Sequence, residues 1–332
     1  MTSEAPLGEA GLLARMLPHL SASDRLEVGP GDDAAVVRLP SPRMVVTTDT
    51  LVEGHDFLPD ATTPVWIGRK AAVQNLADVA AMGARPLALV VALSAPADTP
   101  ASVFEELTIG LAGRAEAEGA EVVGGDLGRA EQLTVTVTAL GALEEGRAPV
   151  LRSGARVGDV LAIGSARLGR SAAGLALVLS GRIRVDDGRI EGAGPHGDLV
   201  AWHDAPEPDL SLGWTVGRGA SAMMDLSDGL VRDGTRIARA SGVQLDLDGA
   251  ALAPDAAQLE PLAVELDADP WSWVLHGGEE HAMLATFAAG AVPVGFRRIG
   301  RVLPAGGEKD HRVLLDGREI RGTGFDHFAA PV

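Results

Sequence analysis

The chain has 332 residues, 46% apolar and 22% charged, a globular composition long enough for about two domains. Its 46 acidic residues against 28 basic ones leave a net charge of −18 at pH 7, which argues against nucleic acid or an anionic membrane as a partner. The absence of cysteine excludes disulfides, thiolate zinc sites and cysteine nucleophiles together.

Residues 5–20 carry Leu12, Leu13, Met16, Leu17 and Leu20 at helical spacing and predict an amphipathic first helix. Arg15, Pro18 and His19 interrupt its apolar patch, so it is neither a signal segment nor a membrane span, and a soluble cytoplasmic protein is expected. Residues 29–54 predict a hairpin: a strand over 34–39, a turn at Pro40 and Pro42, and a return strand over 44–48 that delivers Asp49. Asp32 and Asp33 precede the first strand; adjacent strand residues face opposite ways, so the two do not share a target unless a turn re-aims one. Alone, Gly-Asp-Asp is ordinary turn chemistry.

Thr62, Thr63 and Pro64 start a helix that runs to Met82 and stops at Gly83, with Asn75 and Asp78 on one face among apolar neighbours. The continuous apolar run 86–94 predicts a buried strand, and 100–118 a helix with Val103, Leu107 and Leu111 on its core side. Residues 121–123 predict a strand leading into Gly124-Gly125-Asp126, and 133–143 alternate as a half-buried strand. That order makes an α/β or α+β domain over 1–148, with a second over 149–332 beyond the Gly-, Arg- and Pro-rich stretch 144–159. There, strands are expected at 160–163, 244–247 and 283–287, a helix at 171–179, a loop region at 193–208, a strand passing into a helix over 220–240, and strands with turns from 297 to 328.

Two nucleotide-like patterns are set aside. GSARLGRS (164–171) has Walker A spacing but Arg170 in place of the phosphate-binding lysine. GAGPHG (192–197) follows no apolar strand and contains Pro195. What remains is a recurring carboxylate set, Asp33, Asp49, Asp78, Asp126, Asp225 and Asp228, with few basic neighbours. Helix capping accounts for Asp225, Ser227 or Asp228 singly, but the whole set repels itself unless cations lie between. Magnesium, held by a few carboxylates and substrate phosphates, suits such a set.

The strings GDDAAVV, TTDTLVEG, KAAVQNLADVAAMGARP, GGD, LRSGARVGD, SAAGLAL, MDLSDGL, GGEE and GFDHF, in this order over nearly the whole chain, resemble the thiamine-monophosphate kinase family. The resemblance implies a two-domain aminoimidazole ribonucleotide synthetase-like fold, mixed sheets flanked by helices, and a homodimer formed through the N-terminal domains. It implies an ATP site in a groove lined by acidic loops, and transfer of a phosphoryl group from ATP to thiamine monophosphate with magnesium. By motif, Asp33, Thr47, Thr48, Asp49, Asp78, Asp126, Asp225 and Asp228 would bind magnesium. Gly125, Asp126, Arg152 and Ser227 would contact ATP or its metals, with Asp126, Asp49 and Arg152 carrying the transfer. Glu279 and Phe325 would hold the thiamine end, an aromatic face beside a carboxylate suiting a planar cation.

This chain departs from the family pattern at His55-Asp56-Phe57, where Asp56 takes the acceptor-side position, at His281 in place of Tyr, and at Leu127 after Gly-Gly-Asp. The lack of cysteine disfavours the selenophosphate synthetase and hydrogenase-maturation relatives. A synthetase of the purine type and a non-catalytic metal-binding protein remain as alternatives.

Overall fold

The computed structural model describes residues 8–20, 23–30, 34–307 and 312–320, which cluster into two units. The first takes in residues up to 79, 84–147 and 182–192; the second takes in 80–83, 148–181 and the chain from 193 on. In the first unit, α1 (Glu9–Met16), β1 (Leu26–Val28), β2 (Val36–Val37), β3 (Met44–Val52), α2 (Pro64–Ala81), β4 (Arg85–Ala95), α3 (Ala101–Ala117), β5 (Glu121–Arg129) and β6 (Thr134–Ala142) follow one another. Their main sheet has the order β3-β6-β4-β5, and within it only β4 and β5 run parallel, joined through α3.

One face of this sheet is dry. Val135, Val137 and Ala139 alternate along β6 with no exposure, and α2 packs on their side: Gly141 of β6 lies so near Val79 that a Cβ there would stand 2.3 Å from its methyl carbon. Helix α2 is buried almost all round through Ala71, Ala72, Leu76, Val79 and Ala80, and α3 adds Phe104, Leu107 and Leu111. The opposite face leaves Met44, Val46 and Val90 exposed, with Thr48 and Thr50 beside them.

The expected hairpin between 34–39 and 44–48 does not form. Instead β2 pairs with β1, and β3 pairs with β6 over nine residues from Met44↔Ala142 to Val52↔Thr134. Pro40 and Pro42 lack the N–H a ladder needs, and the long alternating run of β6 offers β3 far more partners than a short neighbour could. Asp49 is thus mid-strand. Gly124-Gly125-Asp126 likewise lies inside β5 and not on a turn, just after a register shift opposite Leu89 and Val90. The first helix is shorter than expected, ending in a 3-10 turn over Leu17–His19 that contains Pro18.

The chain continues with β7 (Val160–Ile163), α4 (Arg170–Leu179), the hairpin β8 (Arg184–Asp186) and β9 (Arg189–Glu191), α5 (Gly197–Asp204), α6 (Ser211–Trp214), β10 (Ala222–Asp225) and α7 (Leu230–Ser241). Next come β11 (Val243–Leu247), α8 (Gly249–Leu266), α9 (Pro270–His276), β12 (Met283–Phe287), β13 (Arg297–Pro304), β14 (Val313–Leu315) and β15 (Arg318–Glu319). The β8–β9 hairpin clusters with the first unit; the other strands of this half form a mixed sheet, β10-β12-β7-β13-β11-β14-β15. Leu161, Ala162, Ile163, Met283, Leu284 and Ala285 have no exposure, which is why these two central strands read as unbroken apolar runs.

Residues 193–208 are not the expected loop: α5 buries Leu199, Val200 and His203 on one face. Helix α8 was not foreseen, because Pro254 and Pro261 interrupt its pattern.

Candidate active site

In the first unit, alternation along β3 sends Thr47 and Asp49 to the face covered by α2. Asp78, one turn from Asn75 on α2, accepts a hydrogen bond of 2.7 Å from the Thr47 hydroxyl, and Asn75 Oδ1 accepts one of 3.0 Å from the Asp49 N–H. Asn75 is buried and donates its amide to the Ala71 carbonyl, so its orientation is fixed. Thr47, Asp49 and Asp78 therefore form one oxygen-rich cluster between strand and helix. Asn75, which holds it, carries no charge, and its only sequence signal is the three-residue spacing to Asp78.

Thr48 is not in that cluster. It points to the open face, where its hydroxyl donates to the Val137 carbonyl and accepts from Thr138 at 3.1 Å. Asp126 is on that open face too: Asp49, Val137, Val91 and Gly125 share one row across the sheet, so Asp126 belongs to the next row, with the reverse facing. The intervening β6 and β4 put Asp126 about 14 Å from Asp49 by strand spacing. Gly125 admits no substituent, since a Cβ would stand 1.9 Å from the Val91 carbonyl oxygen. Asp56 closes a turn, accepting a 2.7 Å bond from the Val52 N–H, while His55 beside it is exposed. Asp33 and Phe325 lie outside the described residues.

In the second unit, the residues after β10 make a loop organised from below. Asp233, fully buried on α7, takes three consecutive N–H donors on one carboxylate oxygen, from Ser227 at 3.0 Å, Asp228 at 2.8 Å and Gly229 at 3.1 Å. Its other oxygen accepts from Arg236 at 2.6 Å, and Arg236 also donates to Asp228, which Arg232 flanks. Burial, then the Asp225 charge, pushes Asp233 up to about 7 against the pull of these donors. Asp225 is buried beside His281, with Oδ2 3.3 Å from Nδ1. Leu151 pairs with β10 through a 3.2 Å bond from the Met223 N–H, which places the exposed Arg152 alongside that strand.

The Gly277–His281 loop closes onto the same segment: the Glu279 N–H donates to the Ser227 carbonyl and the His281 N–H to that of Leu226, both at 2.8 Å. Glu280 turns inward, accepting from the Ser171 N–H at 3.0 Å and the Trp202 indole at 3.1 Å, and its burial raises its pKa. Asp255 accepts from the Leu168 N–H at 2.9 Å. Two of the N–H groups of the Walker-like string, those of Leu168 and Ser171, are thus taken by carboxylates and not offered to phosphate.

Among the described residues no group of three or more His, Asp or Glu side chains is gathered closely enough to cage a metal ion. The oxygen donors nonetheless fit magnesium, which keeps several waters and takes one or two carboxylates plus substrate phosphates. Asp228 fits less well, because its carboxylate is committed to arginines.

Residues 31–143 match the family model "AIR synthase related protein, N-terminal domain". Over its whole length the chain is 45% identical to the thiamine-monophosphate kinase of Mycobacterium tuberculosis H37Rv, covering 96% of that protein. It is similar in structure to the thiamine-monophosphate kinase of Stenotrophomonas maltophilia K279a, with TM-score 0.77, 30% identity, and 93% and 95% of the two chains covered. The AaThiL complex with AMPPCP and TMP superposes with TM-score 0.76 at 31% identity, covering 97% of each chain.

Proposed function

The chain belongs to the thiamine-monophosphate kinase family, and on that premise we propose that it transfers the γ-phosphoryl group of ATP in line to the phosphate of thiamine monophosphate, giving thiamine diphosphate. The observation that carries this reading is the full-length likeness to a protein solved with AMPPCP and TMP. The acceptor chemistry agrees with the residues present. Kinases acting on an alcohol commonly place an Asp to take the proton. A phosphate monoester, with a second pKa of about 6, is already ionised near neutral pH and needs no such base.

The difficulty is then repulsion between two anions. Arg152, exposed beside β10, offers a fork of donors to phosphate oxygens, and the Asp233-held turn presents Ser227 to the nucleotide. Within the first unit Thr47, Asp49 and Asp78 are the residues that would hold magnesium, and Asp126 is a separate oxygen donor on the opposite face of the sheet; within the second unit Asp225 would do so. Bound there, magnesium supplies charge neutralisation to the transferring phosphoryl group. Glu279 contacts the thiamine end. The exposed apolar and threonine face of the first unit's sheet supports a homodimer, since such a face wants covering. No described helix is long and apolar enough to cross a membrane, and we place the protein in the cytoplasm.

ADP release tests the reading. Thiamine phosphate is expected to be turned over only with magnesium, thiamine to be inert, and no phosphoprotein to form with ATP alone. Comparable ADP release with thiamine, or an accumulating phosphoprotein, refutes it.

A further inference from the structure

We propose that His203 is a positioning residue for acceptor recognition, holding the Glu279 carboxylate where it meets the thiazolium cation of thiamine phosphate. This rests on Glu279 being the acceptor contact proposed above. His203 is buried on α5, with Nδ1 3.2 Å from Glu279 Oε2 and 3.1 Å from Ser171 Oγ. Nδ1 is hydrogen-bonded with the Ser171 hydroxyl and lies at ion-pair distance from the Glu279 carboxylate; a carboxylate only accepts, so the proton is on Nδ1, between the two oxygens.

The imidazole is seated by packing. Helix α5 approaches α4 at Gly174, where a Cβ would stand 2.1 Å from the Leu199 carbonyl oxygen and 2.8 Å from His203 Cβ. Only glycine lets the two helices come this close, and Ser171 is one turn before it on the same helix.

Glu279 is held just as firmly from its own side. Its φ of 58° and that of 51° at His281 lie in the left-handed region, which side chains other than glycine seldom adopt. The backbone bonds from Glu279 and His281 to Ser227 and Leu226 maintain that shape, and inward-turned Glu280 anchors the loop to α4. The left-handed conformation separates the two adjacent acids: the Glu280 residue is 1% exposed, whereas the Glu279 side chain remains 30% exposed. A carboxylate held beside a buried imidazole, with its side chain still partly exposed, loses little freedom on meeting a cation, and so discriminates sharply.

The test is calorimetric titration of the full chain with thiamine phosphate and with its neutral thiophene-ring isostere, alongside AMPPCP. Wild type is expected to prefer the cationic ligand by about tenfold or more, the scale of a charge-assisted contact. His203→Leu should lower that preference about tenfold while AMPPCP affinity stays within about twofold. His203→Asn, whose amide N–H stands near the place of Nδ1, should keep the preference within about twofold. Should His203→Leu fail to fold, Ser171→Ala applies the same test with an expected loss of about threefold. Preference retained in His203→Leu, or equal weakening of both ligands, overturns the positioning role while leaving the acceptor reading intact. A wild type indifferent to the ring charge overturns that reading and this proposal with it.

Discussion

Asp233 offers a sharp test because two forces act on it in opposite directions. Three N–H donors and Arg236 favour its ionised form, while burial and the Asp225 charge disfavour it. The balance raises its pKa from 3.8 to about 7. A carboxylate raised in the folded state stabilises that state fully below its unfolded pKa, and the stabilisation is lost as pH rises through the folded value. With these two values, linkage gives a loss of about 2 kcal/mol by pH 5 and about 4 kcal/mol by pH 8. Asp233→Asn keeps a carbonyl oxygen for the three N–H groups and removes the titration. In equilibrium urea unfolding, the wild-type minus Asp233→Asn free energy is therefore expected to fall by about 2 to 3 kcal/mol between pH 5 and pH 8. A difference that stays flat, or rises with pH, would refute the reasoning: the donors would then outweigh burial and keep Asp233 charged throughout.

Two further outcomes are expected. Asp126→Asn should lower turnover by at least about 100-fold, the scale lost with a preorganised electrostatic element, and near-normal turnover in a folded variant would remove Asp126 from the site. Val46, 54% exposed on the open sheet face, is expected to be covered in a dimer; Val46→Lys should shift light scattering from dimer toward monomer, whereas a monomeric wild type at micromolar concentration would sink the assembly.

Local pattern made several elements legible. The near-continuous apolar character of α2, the buried runs of β4, β7 and β12, and the β10-to-α7 passage are properties of neighbouring residues, and the structure has them within a residue or two. Strand partners were not legible, because nothing near residues 34–48 states that a nine-residue ladder with β6 will outcompete a hairpin. Helices α5 and α8 were hidden for different reasons: the first is short and packs on α4 through the close approach at Gly174, outside its own stretch, and the second carries Pro254 and Pro261 within its length.

The acids of the site divide along the same line. Composition and motif single out carboxylates but do not say which way each one turns, and direction decides the role. Alternation already separates Thr48 from Thr47 and Asp49, since the three are consecutive on one strand. Asp126 required the register of four strands to be placed on the opposite face. Asp233 and Glu280 look in sequence like any solvated acid, yet both are turned inward to hold N–H groups, and each stands next to acids that remain partly open. A buried carboxylate satisfied by backbone donors fixes a loop, and a fixed loop is what lets a neighbouring exposed carboxylate meet a metal or a cation without first being ordered. The inward acids are thus part of the chemistry at one remove, and folding alone distinguishes them from the acids they serve.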